Sequence, residues 1–179
     1  MRSINLLHYA AEDILPLLQD RASEQALVFE MNTSDQLWCS AILLALDKEH
    51  AASEWIGLIC LLKAYCCWNI SNSLVNGFDD DMDLYQDMIQ VFRSSNEIEC
   101  SPVESFSRDF NWIFHGMGTE AVGAQFLRNG NRIEAKEIGH FMGSQQILQA
   151  KSISKEWNDI KYFIETNENW LYFEWNTSA

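Results

Sequence analysis

Apolar residues recur at helical spacing through the first half of the chain. From Ile4 to Leu18, the stripe Leu7, Ala11, Ile14, Leu15 and Leu18 predicts an amphipathic helix. The short run "LVFEM" at Leu27–Met31 admits either a strand or a helical turn. Thr33 or Ser34 then stands as an N-cap ahead of "DQLWCSAILLAL", which predicts a helix over about Asp35 to Asp47. A longer helix follows over Ala51 to about Leu74. It is apolar nearly all round and therefore expected at the centre. Asn76-Gly77 is the expected stop, with the glycine suited to a left-handed C′ position. The aspartates after it open a helix from about Asp80 to Arg93. Its expected inner face is Met82, Tyr85, Ile89 and Phe92, and its outer face Asp83, Asp87 and Gln90. After the loop "SSNEIECSP", Val103 to Phe114 predicts a further helix with Phe106, Phe110, Ile113 and Phe114 apolar.

Beyond this point the pattern changes. Glycines cluster at Gly116, Gly118 and Gly123, and Asn129-Gly130 between two short runs signals a two-residue hairpin. Glu137 to Gln149 reads as helical, interrupted by Gly139 and Gly143. Ser154 reads as the cap of a helix that turns Trp157, Ile160, Phe163 and Ile164 inward. "NWLYFEW" closes the chain as a strand. Alternation puts Trp170, Tyr172 and Glu174 on one face and Leu171, Phe173 and Trp175 on the other. Both faces are substantially apolar, so the strand is either sandwiched or partly covered by a partner. The expected fold class is α+β, mostly helical, with a small antiparallel β element in the C-terminal third. A single domain spans residues 1–179, helical to about residue 115 and hairpin-containing over 116–179.

Composition supports a folded core: of 179 residues, 47% are apolar, with seven Trp, ten Phe and only two prolines. No leader pattern opens the sequence. The longest apolar tract, Trp55 to Trp68, carries Lys63 and falls short of the roughly 20 residues a bilayer requires. The five cysteines are odd in number and form no CxxC. Free thiols in a reducing cytoplasm are the expectation, with no membrane association. Net charge is −14, and residues 1–100 hold 16 acids against 5 bases. No Lys or Arg lies between Lys63 and Arg93. Such a surface repels nucleic acid and anionic lipid and attracts cationic partners.

The sharpest motif is "NGFDDDMDLYQD" at Asn76–Asp87. An EF-hand loop starting at Asp79 needs Gly at its sixth position and Glu at its twelfth, where Leu84 and Gln90 stand. Asp79, Asp80 and Asp83 form a DDxxD pattern, but no second acidic motif and no nearby base would complete a diphosphate site. The helix macrodipole favours the first one or two carboxylates by about 0.3–1 kcal/mol. The remaining charge is either a solvated helix start or a surface for a partner. Elsewhere, His8, His50, His115 and His140 show no metal-ligand spacing, and "GMGTEAVG" matches no phosphate loop. Cys100 and His115 are the obvious candidates for a Cys–His pair, although nothing in the sequence flags them, and Ser3, Ser40 and Ser144 lack a nucleophile-elbow context. The expectation is therefore no catalytic residue, no metal and no cofactor.

In size, acidity, cysteine usage and a helical half followed by a hairpin and aromatic tail, the chain resembles the immunity proteins of bacterial toxin systems, including those of contact-dependent growth inhibition. The resemblance implies a non-enzymatic cytoplasmic inhibitor. Such a protein binds a cognate toxin domain, often a basic nuclease, and blocks its active site without contacting nucleic acid itself. The expected contacts are Asp79, Asp80, Asp81, Asp83 and Asp87, then Glu97 and Glu99, with Trp170, Tyr172 and Trp175 as possible anchors. Two alternatives stand beside it. One is an enzyme with a site near Gly116–Gly143, and the other is an acidic nucleic-acid mimic.

Overall fold

The computed structural model describes residues 11–19, 21–33, 39–72, 81–91, 98–117 and 124–177. Its centre is one eight-stranded antiparallel sheet in the order β3-β6-β7-β8-β2-β1-β4-β5. The strands are β1 (Leu27–Asn32), β2 (Cys39–Asp47), β3 (Glu99–Ser101), β4 (Gln125–Arg128), β5 (Asn131–Ile133), β6 (Ile147–Glu156), β7 (Asp159–Thr166) and β8 (Asn169–Thr177). The helices are α1 (Ala11–Leu18), α2 (Glu54–Asn72), α3 (Asp81–Val91), α4 (Val103–Asn111) and α5 (Ala135–Gly143). A 3-10 turn occupies Ala22–Gln25, and a π-helical turn, Trp112–Met117, continues α4.

This architecture corrects the expected fold class. The sheet is not a small C-terminal element, because β1, β2 and β3 come from the part of the chain expected to be helical. Cys39–Asp47 is a strand and not the end of a helix. It lies between β8 and β1 and buries both faces, so its apolar run is continuous rather than alternating. The expected helix after Ser154 is a hairpin of β6 and β7, closed by Trp157 and Asn158 between the paired residues Glu156 and Asp159. Trp157 is 73% exposed there, not turned inward. The helical reading of Glu137–Gln149 holds only as far as Gly143, and β6 begins at Ile147.

Other expectations agree with the structure. Leu27–Met31 falls in β1, and α2 fills most of the span expected of the central helix. The Asn129-Gly130 turn joins β4 to β5, with φ of 48° and 75°, the positive values a tight hairpin turn demands. The Asn129 side chain accepts from Val28 N at 2.8 Å, tying this turn to β1. The Asn76-Gly77 stop and Ser34 lie outside the described residues, whereas Thr33, the other expected N-cap, bonds through its hydroxyl and its N–H to Cys39 at the start of β2.

Helices cover both faces of the sheet, and the alternation of β8 shows how. Trp170 and Tyr172 join a core with Leu58, Leu61, Leu62 and Cys66 of α2, Ile14 and Leu18 of α1, and Leu84 and Met88 of α3. Leu171, Phe173 and Trp175 join a second core with Phe106 and Phe110 of α4, Ile113 and Phe114 of the π turn, and Ile138 of α5. "NWLYFEW" is thus sandwiched. Full burial of a large apolar side chain contributes about 1.5–3 kcal/mol, so these aromatic positions dominate the energetics of the central strand.

Candidate functional site

Two surfaces stand out: the outer face of α3 and a cleft between α4 and α5. Helix α3 begins at Asp81 and buries Leu84, Met88 and Ile89. Met82, expected inside, is exposed. Asp83 and Asp87, one turn apart, are exposed as expected. The sequence around them carries no Lys or Arg between Lys63 and Arg93. Lys63, the last base before α3, donates its ammonium to the Leu18 carbonyl at the end of α1. The field of Asp87 reaches the α2 core, where burial first and Asp87 second push the Cys66 thiol up.

The remaining predicted contacts are scattered. Asp79, Asp80 and Glu97 lie outside the described residues. Glu99 is exposed on the edge strand β3, opposite Ser152. Trp170, Tyr172 and Trp175 are 5%, 0% and 3% exposed and belong to this chain's own cores, so they present no surface anchor. Among the described residues, the exposed tryptophans are Trp157, at the β6–β7 tip, and Trp112, which packs edge-on against Trp175 at 5.6 Å. Sequence reasoning missed both. A helical reading of the Trp157 segment turned it inward, and nothing marked Trp112.

The cleft encloses about 230 Å³. One wall is the line Ser107, Asn111 and His115, carried by α4 and its π turn. The opposite wall is Gly139, Met142 and Gly143 of α5, and Phe106, Phe110 and Ile147 complete the lining. The glycines have different roles. A Cβ on Gly139 would stand 3.0 Å from His115 Cε1, whereas one on Gly143 would meet nothing within 4 Å. His115 meets Phe110 edge-on at 6.3 Å. Among the described residues, no Asp, Glu, Lys or Arg lines the cleft. Gly139, Met142 and Gly143 fall within the region of the enzyme alternative. Cys100 is on β3, beside Gln149.

A buried polar knot lies on the α2 side of the sheet. Glu174, 4% exposed, accepts from Tyr65 at 2.9 Å and from Tyr172 at 2.6 Å. Lys161 sits 4.0 Å away and pairs more closely with Asp159 at 2.8 Å. Burial, and then the Glu174 charge, raise both tyrosine hydroxyls well above their ordinary range. The two hydroxyls are therefore fixed donors to Glu174, a bracing role between α2 and β8. Among the described residues, no three His, Cys, Asp or Glu side chains converge as a metal site. No helix there is long and apolar enough to cross a membrane.

No protein-family model matches the chain, and no curated protein or solved structure is similar to it.

Proposed function

We propose that this chain is an immunity-type inhibitor that binds a cationic toxin domain, of the basic nuclease class, through the outer face of α3. The observation that carries the reading is the pair of exposed carboxylates Asp83 and Asp87, one turn apart on a helix that begins at Asp81. They sit in a stretch with no Lys or Arg from Lys63 to Arg93, in a chain of net charge −14. A nuclease holds cations where substrate phosphates bind. A row of carboxylates offers those cations the same charge without a scissile bond. Opposite fields then speed encounter, a contribution that salt screens. On this reading the protein acts in the cytoplasm, performs no reaction and takes no cofactor. Its anchors are not Trp170, Tyr172 or Trp175, which are spent on its own core.

Co-purification from the native host with mass spectrometry identifies the partner. Association is then followed by stopped flow with Asp79, Asp80, Asp81, Asp83 and Asp87 all changed to Asn. The expected result is at least a roughly tenfold slower association at low ionic strength, with the gap closing as salt rises. An unchanged rate and affinity would remove α3 from the interface.

A further inference from the structure

We propose that the tip of the β6–β7 hairpin is a second contact for the cationic partner: the Trp157 indole stacks on the side chain of a partner Arg or Lys, and the Glu156 carboxylate meets its charge. This rests on the reading of the chain as an inhibitor of a cationic domain. It supplies the aromatic anchor that Trp170, Tyr172 and Trp175, buried in the cores, do not. Trp157 is the most exposed large apolar side chain among the described residues. The turn itself does not call for it. Among the described residues, Asn129 is the only residue other than glycine with positive φ, so the Trp157–Asn158 turn makes no left-handed demand. A small polar side chain would serve such a turn equally well. The tip is also held still. The Asn158 carbonyl accepts from Thr177 N at 3.1 Å, and the Asp159 carbonyl accepts from the Ser154 hydroxyl at 3.2 Å. A braced aromatic side chain has little freedom to lose when it is covered, which suits an anchor.

The charge around the indole selects a cation. Both lysines at this end of the hairpin are engaged within the chain. Lys155 donates to the Ser101 hydroxyl at 2.7 Å and lies over the Tyr162 ring at 5.3 Å. Lys161 pairs with Asp159 at 2.8 Å. Glu156 is exposed and makes no ion pair among the described residues. It stands opposite Asp159, which shares a face of β7 with Lys161 and with Phe163 of the core under α2. Glu156 therefore belongs to the side of the sheet that carries α2 and α3. The acidic field runs on from there to α3. After burial, Asp87 and, more weakly, Glu174 raise the Cys66 thiol. After burial, Glu174 and, more weakly, Asp159 raise the neighbouring Tyr65 hydroxyl. An indole face beside an unpaired carboxylate attracts a guanidinium or an ammonium and repels an anionic surface.

The test uses the full chain, labelled with ¹⁵N and titrated with a capped hexaarginine peptide. A capped hexaglutamate peptide and phosphatidylcholine vesicles serve as controls. The expected result is a saturable shift of the Trp157 indole N–H and of the Glu156 amide with the arginine peptide alone. Trp157→Ala, read at the Glu156 amide, should weaken this binding at least about threefold. Glu156→Gln, read at the Trp157 indole, should weaken it about twofold or more at low salt. Both side chains are exposed, so both variants should keep the parent's far-UV spectrum. The amides of Asp83 and Asp87 report on α3 separately. Shifts there with none at the tip remove this proposal and leave α3 standing; shifts at the tip alone uphold it and remove α3 from the interface. The proposal is overturned if the Trp157 indole does not move with the arginine peptide, or if both variants bind as well as the parent. It is equally overturned if the glutamate peptide or the vesicles move the indole as far, or if concentrating the chain alone does, which would make the tip a contact between copies.

Discussion

The indole of Trp170 lies directly over Gly57: a Cβ on that glycine would stand 2.5 Å from Trp170 Cγ. This contact sets how closely α2 approaches the central strand β8. The ring is held in place from several sides. Its Nε1 donates to the Ala51 carbonyl at 2.8 Å, and its face stacks on Phe163 at 5.8 Å. Lys48 lies over it at 4.6 Å.

Gly57→Ala is therefore expected to destabilise the fold, although alanine is ordinarily the better helix residue by about 1 kcal/mol. Overpacking a fixed ring costs about 1–3 kcal/mol, and here it outweighs the gain in propensity. Urea unfolding should show a lower midpoint for Gly57→Ala. Adding Trp170→Phe should recover part of the loss in a double-mutant cycle. An alanine variant as stable as the parent would mean that α2 shifts freely on the sheet.

The tyrosines around Glu174 predict an alkaline transition. The hydroxyls of Tyr65 and Tyr172 are raised by burial and by the Glu174 charge; that of Tyr162 is raised by burial and by its bond to Asp109. In the unfolded chain each titrates near 10. Below that pH both states hold the proton, and the stabilisation is complete. Above it the unfolded chain releases protons that the folded chain keeps, so stability falls as pH rises. Each tyrosine adds a slope of up to about 1.4 kcal/mol per pH unit. Tyrosinate absorbance from these three should appear together with loss of the circular dichroism signal, not before it. Tyr65→Phe should cost about 1.5–3 kcal/mol at neutral pH, since it takes one donor from a buried carboxylate. Early titration of all the tyrosines in a still-folded chain would contradict this arrangement.

The cysteines sort by exposure, and labelling checks it. Cys39, Cys60 and Cys66 are buried, while Cys67 and Cys100 are exposed. Burial also pushes the Cys66 and Cys67 thiols up, which leaves less thiolate at neutral pH. The native protein should take up maleimide at Cys100 and Cys67, and at the other three only on denaturation, as intact mass reports. Rapid native labelling at Cys60 or Cys66 would show that α2 opens from the sheet.

Elements that announce themselves locally were legible in the sequence. Helix α2 is long, and the Asn129-Gly130 turn has a backbone demand that few residues meet. In β8 the alternation survived because each face has its own core. Strand β2 was lost for the opposite reason: apolar residues run along both faces, and such a run cannot be told from a buried helix by period alone. The β6–β7 hairpin was hidden by register shifts at Ile147/Gln149 and Ser152/Ser154, which break a two-residue rhythm. The outer face of α3 was readable at Asp83 and Asp87. The cleft was not, since Ser107, Asn111 and His115 resemble any solvated helix face until α5 brings its glycines opposite them.

The last prediction concerns Lys151, which β6 buries at 4% exposure and pairs with Glu54 in the first turn of α2. The two members are unequal, for the Glu54 side chain keeps 33% of its surface in solvent and that of Lys151 only 5%. Removing the acid strands a buried ammonium; removing the base leaves a carboxylate that water still reaches. Glu54→Ala should therefore cost about 3–5 kcal/mol, whereas Lys151→Met, which keeps the volume and drops the charge, should be near neutral or stabilising. Chemical unfolding of both variants measures the difference. Equal losses from the two substitutions would mean that the ion pair is solvated from both sides.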